Sequence, residues 1–170
     1  SRLERILSEA AFPEELLSRA ETLRRALIEG KVTKYNIGEN SPLHTTTGKP
    51  VLLVVGQVEG DASIERGCPE ISTNDGLVEA VRRARPNAFL VYKEHPDVAS
   101  GNRKGRLSAI SEGQIDGRAD GLSIDTAIAG AAEIHTMTSL AGFEALLRDK
   151  PVFTYGQPFY AGWGLTTDAC

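Results

Sequence analysis

The stretch Val51-Leu52-Leu53-Val54-Val55-Gly56-Gln57-Val58-Glu59-Gly60-Asp61-Ala62-Ser63 decides the fold. It opens with an unbroken, valine-rich apolar run, as expected of a strand covered on both faces in a parallel sheet. The run stops at a glycine-flanked polar turn, and the chain beyond it alternates between helical and strand patterns. From Asn74 to Arg85, Leu77, Val78 and Val81 recur at helical spacing behind a capping Asn74, until Arg85-Pro86-Asn87 breaks the period. Ala88 to Tyr92 reads as a second strand, ending in Lys93-Glu94-His95-Pro96-Asp97. Glu133 to Thr136 reads as a short strand and Pro151 to Tyr155 as another; between them Leu140, Phe143, Leu146 and Leu147 share one helical face of Ser139 to Arg148. Such alternation implies an α/β protein with a doubly wound parallel sheet and right-handed crossovers. Ligands of these sheets bind outside the carboxyl ends of the strands, and every unusual polar motif here follows a predicted strand.

Outward from this core the pattern weakens. Upstream, Leu16, Leu17, Ala20, Leu23, Ala26 and Leu27 mark an amphipathic helix over Glu14 to Glu29, with Pro13 near its start and Gly30 past its end. Lys31 to Pro50, with its Thr45-Thr46-Thr47 run, reads as a linker. Residues 1–49 are therefore expected to hold a helix and linker, and residues 50–170 the domain proper. Gly101 to Gly121 reads as a long irregular excursion, and Ser123 and Asp125 are candidate caps for a helix within Leu122 to Ala132. The opening Ser1 and the stop just after a Gly/aromatic motif suggest a piece of a longer protein.

With 170 residues, 41% of them hydrophobic and 25% charged, the composition is that of one soluble globular domain. No apolar run approaches the roughly 20 residues of a membrane span, so any membrane association is expected to be peripheral. A net charge of -4 supplies no basic field for nucleic acid. Arg82, Arg83 and Arg85 read as a solvated helix face, whereas Arg103, Lys104 and Arg106 follow a candidate ligand motif. Cys68 and Cys170 lack metal-ligand spacing, no HExxH, GxGxxG or GxxxxGK[ST] motif occurs, and no metal or cofactor is expected. Low cysteine usage without a signal sequence favours a cytoplasmic setting.

Four motifs carry candidate chemistry. Gln57, Asp61 and Ser63 place an amide, a carboxylate and a hydroxyl on one turn, where Gly56 and Gly60 admit close backbone approach to a ligand. Asp61 is suited to stabilise oxocarbenium-like charge as nucleophile or base, or else simply caps the next turn. His95, its direction fixed by Pro96, either meets a phosphate or bonds nearby backbone. Thr138 and Ser139 lie where a helix start would receive an anion, or are ordinary caps, and Glu144 either reaches ribose hydroxyls or is a surface charge. Phe159, Tyr160 and Trp163, among closely spaced glycines, form either a rigid pocket wall or loop packing.

Taken together, Gly56-Gln57-Val58-Glu59-Gly60-Asp61-Ala62-Ser63, Tyr92-Lys93-x-His95-Pro96-Asp97-Val98, His135-Thr136-x-Thr138-Ser139-Leu140-Ala141-Gly142-Phe143-Glu144 and Gly156-x-Pro158-Phe159-Tyr160-Ala161-Gly162-Trp163-Gly164 resemble the capsule polysaccharide biosynthesis and export family of the KpsC type. Order and spacing agree over about Lys49 to Asp168. The resemblance implies a Rossmann-like lobe of a GT-B-like glycosyltransferase, a β-Kdo transferase. Its donor would be CMP-β-Kdo and its acceptor a Kdo linker on phosphatidylglycerol, at the cytoplasmic face of the inner membrane. This chain would be the donor-binding lobe, Lys31 to Pro50 the interlobe linker, and a second lobe would complete the cleft.

By the same resemblance Asp61 is the catalytic carboxylate that attacks C2 of Kdo, oriented by Gln57 and Ser63. His95, Pro96, Thr138 and Ser139 would hold the CMP phosphate and Glu144 the ribose. Glu94, acidic where the family pattern suggests a neutral or basic residue, has to point away from that phosphate. Two other readings stand beside this one: a non-catalytic nucleotide- or partner-binding module of a capsule export complex, and a GT-B-like epimerase that prefers UDP-sugars.

Overall fold

A computed structural model of the protein describes residues 2–35, 37–43 and 48–169. It divides into two compact units, Ser1–Val32 and Thr33–Cys170. The first holds α1 (Arg2–Glu9) and α2 (Glu14–Glu29). Pro13 caps α2 in extended backbone, and the Gly30 N–H donates to the Ala26 carbonyl to close it. No side chain of either helix is buried, and Leu3, Leu17 and Leu23 are exposed. The second unit starts earlier than the expected boundary near residue 50, because Thr33 to Leu43 belongs to it. The Thr45-Thr46-Thr47 run and Cys170 lie outside the described residues.

The second unit is built on a six-stranded sheet, β1 (Val51–Val55), β2 (Phe89–Lys93), β3 (Gly117–Arg118), β4 (Glu133–Thr136), β5 (Val152–Thr154) and β6 (Thr167–Asp168). The order is β3-β2-β1-β4-β5-β6 and every neighbouring pair is parallel. Its helices are α3 (Ala62–Gly67), α4 (Asn74–Ala84), α5 (Pro96–Ala99), α6 (Ala109–Glu112), α7 (Ile124–Gly130) and α8 (Leu140–Leu147).

All five residues of β1 are buried, as the unbroken apolar run requires. Val51, Leu53 and Val55 pack with Ala127, Ile128, Ala141 and Ala145 on one side of the sheet. Leu52 and Val54 pack with Ile64, Leu77, Val78 and Val81 on the other. Each buried Val, Leu or Ile among them contributes about 1.5–3 kcal/mol. The chain runs outward from β1 through β2 to β3, then returns to β1's other edge as β4. The strand order therefore reverses between β1 and β4, where Val55 pairs Thr136, and Val55 also pairs Lys93 of β2. Three strand ends thus stop at one level beside the switch point, where doubly wound sheets bind their ligands.

Local details depart from the sequence reading. Thr73, not Asn74, caps α4; its hydroxyl accepts from the Gly76 N–H, which leaves the Asn74 side chain for other work. Ser123 caps α7, while Asp125 pairs with Arg148 at 2.8 Å. The stretch taken as irregular contains α6 and β3. Arg82 and Arg85 are not a solvated face: Arg82 bonds Asp116 at 2.6 Å and the Ala88 and Gln114 carbonyls, and Arg85 meets Glu133 at 3.2 Å. Gly56 is required by packing, since a Cβ there would lie 2.0 Å from the buried Tyr92 hydroxyl.

Candidate active site

A cavity of about 600 Å³ opens outside the carboxyl ends of β1, β2 and β4, within the usual size of a small-molecule site. Gln57, Asp61, Ser63, His95, Pro96, Thr138, Ser139 and Glu144, the catalytic and donor-binding candidates, all line it. Residues 81 positions apart meet directly here, because the Gln57 amide is clamped to β4's end: its Oε1 accepts from the Thr138 N–H at 2.8 Å and its Nε2 donates to the Thr138 hydroxyl at 3.0 Å. That occupation corrects one expectation, for Gln57 fixes the Thr138 turn and has no bond to Asp61. Asp61 is oriented from its own turn, where Oδ1 accepts from the Ser63 N–H at 3.2 Å and caps α3. Gly60, at φ +79, makes the sharp bend that delivers it. Capping and exposure to the cavity coincide: Oδ1 serves the helix while the exposed residue lines the cavity.

His95 caps α5, with Nδ1 accepting from the Asp97 N–H at 3.2 Å. In the neutral ring this bond puts the proton on Nε2, which faces the Tyr35 hydroxyl at 3.2 Å. Burial pushes the imidazole pKa below its ordinary value despite the opposing pull of Asp97 and Asp61; Lys34 and Arg103 push the same way as burial. At neutral pH the group is therefore a neutral N–H donor. Glu94 lines the cavity too, so it does not simply point away from a bound anion; its carboxylate is paired with the Arg118 guanidinium at 3.5 Å. Ser139 caps α8, its hydroxyl accepting from the Ala141 N–H. The Tyr160 hydroxyl donates to the Ser139 carbonyl at 2.5 Å and buttresses that turn from behind.

Glu144 is not a surface charge, and it lines the cavity. It is buried and its Oε1 accepts the Lys34 backbone N–H at 2.8 Å, while burial raises its pKa against the pull of that N–H and of Arg148. The same strap of chain is held by the Glu39 N–H on the Gly121 carbonyl and by the Ser123 N–H on the Glu39 carbonyl, both at 2.8 Å. Lys34 and Tyr35, with the ammonium 4.8 Å from the ring centroid, are thereby added to the cavity lining. The sequence held no signal for them, because they sit in a segment without period. Asn74 was missed as well: it accepts from the Gln57 N–H at 2.9 Å and donates to the Gln57 and Gly105 carbonyls, both at 2.8 Å, so it pins the turn after β1. Phe159, Tyr160 and Trp163 do not line the cavity. Among the described residues no three His, Cys, Asp or Glu side chains gather as metal ligands, and no helix is long and apolar enough to cross a membrane.

The comparison with known proteins agrees with this architecture. The model of a family described as capsule polysaccharide biosynthesis protein matches residues 9–170. The chain belongs to that family. It is 50% identical over 169 residues to the capsule polysaccharide modification protein LipA of Neisseria meningitidis serogroup A, covering 99% of this chain and 24% of LipA. It is 37% identical to the lipopolysaccharide-processing protein LpsZ of Rhizobium meliloti, covering 39% of that protein. Among solved structures, the KpsC β-Kdo 2,7 transferase of Thermosulfurimonas dismutans superposes with a TM-score of 0.83 at 41% identity over all of this chain and 52% of its own. The β-Kdo 2,4 transferase of the same organism gives 0.82 at 29% identity, over 95% of this chain and 51% of its own. The fold is thus that of a KpsC glycosyltransferase lobe, and the chain spans about a quarter to half of the relatives it matches.

Proposed function

We propose that this domain binds CMP-β-Kdo and takes part in its retaining transfer to a lipid-linked Kdo acceptor at the cytoplasmic face of the inner membrane. One observation carries the reading. A carboxylate, a neutral imidazole N–H and a hydroxyl-bearing helix start converge on one cavity at the switch point, in a chain whose solved relatives are β-Kdo transferases.

In this reading Asp61 attacks C2 of the sugar, the bond from C2 to the phosphate oxygen breaks, and CMP departs with the electron pair. His95 Nε2–H and the Thr138 and Ser139 hydroxyls meet the charge that develops on the phosphate, and no metal ion is called on. The acceptor hydroxyl then attacks C2, expels the Asp61 carboxylate and gives up its proton to solvent; two inversions leave the β configuration unchanged. Ribose recognition is assigned in this reading to Glu144, which spends only Oε1 on the strap, together with Lys34 and Tyr35 of the strap itself. A second lobe supplied by the rest of the polypeptide would close the cleft.

The test is Asp61→Asn in the full-length protein. Transfer should fall by about 10³-fold or more, as for loss of a covalent nucleophile, while CMP affinity stays within a few-fold. Transfer that survives the substitution would remove Asp61 from the mechanism. An unchanged protein that binds CMP but never transfers would instead favour a non-catalytic module.

A further inference from the structure

Beside the main cavity lies a second, shallower cleft of about 360 Å³ that shares Ser63 and Thr138 with it. Its floor is backbone brought unusually close. The Gln157 N–H donates to the Gly67 carbonyl at 2.7 Å. A Cβ on Gly67 would approach the Thr138 methyl to 3.1 Å, and one on Gly156 would lie 2.7 Å from Cys68 Sγ and 2.8 Å from the Gly67 carbonyl oxygen. Gly156 is closed to any side chain and Gly67 is tight, so the floor is set before any ligand arrives.

The walls differ in chemistry. Phe159 is 57% exposed, which is unusual for a large apolar ring, yet it is held firmly. It packs edge-on against Tyr160 at 5.2 Å and tilted against Phe143 at 5.2 Å, and its carbonyl accepts the Trp163 indole N–H at 3.0 Å. A rigid exposed aromatic face offers a flat apolar surface of the kind that sugar C–H faces cover. Arg66, exposed in the last turn of α3, also lines the cleft, and among the described residues its guanidinium has no hydrogen-bond or ion-pair partner. An unpaired planar fork is suited to a carboxylate.

We propose that this cleft seats the terminal sugar of the acceptor, a carboxylate-bearing pyranose, with its ring on Phe159 and its carboxylate on Arg66. The inference rests on the functional reading above and adds where the acceptor lies: in the cleft that adjoins the main cavity at Ser63 and Thr138. A neutral sugar would use Phe159 but leave Arg66 without a role, and the functional reading assigns the nucleotide to the larger cavity.

The test uses the full-length protein saturated with CMP and two probes, the methyl glycoside of Kdo and its C1 methyl ester, titrated by calorimetry into unchanged protein, Arg66→Gln and Phe159→Ala. The acid is expected to bind about tenfold or more tightly than the ester, equivalent to about 1.4 kcal/mol. Arg66→Gln should erase that preference, and Phe159→Ala should weaken both probes while the preference remains. Equal binding of acid and ester to unchanged protein, no binding of either, or a preference that survives Arg66→Gln would overturn the assignment. A CMP titration of the same sample reads the donor site separately. If CMP fails to bind, the functional reading falls; if CMP binds and the Arg66 dependence is missing, only the acceptor cleft does.

Discussion

Replacing Gly142 with alanine sets two physical effects of opposite sign against each other. Gly142 sits in the first half of α8, where alanine is ordinarily favoured by about 1 kcal/mol. The structure predicts the reverse. A Cβ at this position would lie 2.2 Å from the Tyr160 hydroxyl oxygen and 2.7 Å from Cζ, and that ring is only 4% exposed and cannot swing away. Overpacking of this kind costs about 1–3 kcal/mol. Losing the Tyr160 bond to the Ser139 carbonyl adds about 0.5–1.5 kcal/mol. The net expectation is destabilisation by about 0.5–3.5 kcal/mol, a fall of several degrees in Tm. The assay is thermal and urea unfolding of the unchanged protein, Gly142→Ala, Tyr160→Phe and the double variant. Because Tyr160→Phe removes the nearest clashing atom, Gly142→Ala should cost at least about 1 kcal/mol less in that background, a coupling that a double-mutant cycle isolates. A rise in Tm for Gly142→Ala, as helix propensity alone would give, would refute the claim that Tyr160 is wedged beneath the α8 turn.

Further consequences follow from other groups. His135 is fully buried, stacked on Phe153 at 4.7 Å, and burial, then Arg85, pushes its pKa down to about 3; Glu133, 3.2 Å away, is shared with Arg85 and does not reverse this. Between that value and the ordinary 6.5 the unfolded chain binds the extra proton, so stability should rise with pH across this window, by up to about 1.4 kcal/mol per unit, and His135→Gln should flatten the slope in urea midpoints measured at pH 4 to 7. Glu144→Ala should free the Lys34 amide and speed its hydrogen exchange by about tenfold or more, whereas Glu144→Gln, which keeps an acceptor oxygen, should leave it nearly protected.

The sheet was legible because burial on both faces leaves a plain trace: β1 is continuous apolar sequence, and the alternation of elements after it prescribed a doubly wound order. The candidate residues were legible where strand ends concentrate polar groups, as at Asp61, His95 and Thr138. Their mutual contacts were not. Nothing local tells that Gln57 serves Thr138 rather than Asp61, since that choice depends on β1 and β4 being neighbours across the switch point. Asn74 read as a cap because asparagine before a helix usually is one, yet Thr73 took that role and released it to bind the Gln57 backbone. The strap was invisible for a related reason: its bonds are made by backbone groups of Lys34 and Glu39, which any sequence possesses. The aromatic motif, open in the sequence between pocket wall and loop packing, divides between the two: Tyr160 supports α8 from behind and Phe159 lines the smaller cleft.

The claim that the switch-point cavity receives CMP is tested most directly by calorimetric titration of the full-length protein with CMP, with UMP as control and His95→Ala beside it. The account predicts binding selective for CMP and weakened about 10- to 100-fold in the variant, the worth of one charge-assisted hydrogen bond to phosphate. Equal affinity for CMP and UMP, or CMP binding indifferent to His95→Ala, would contradict it.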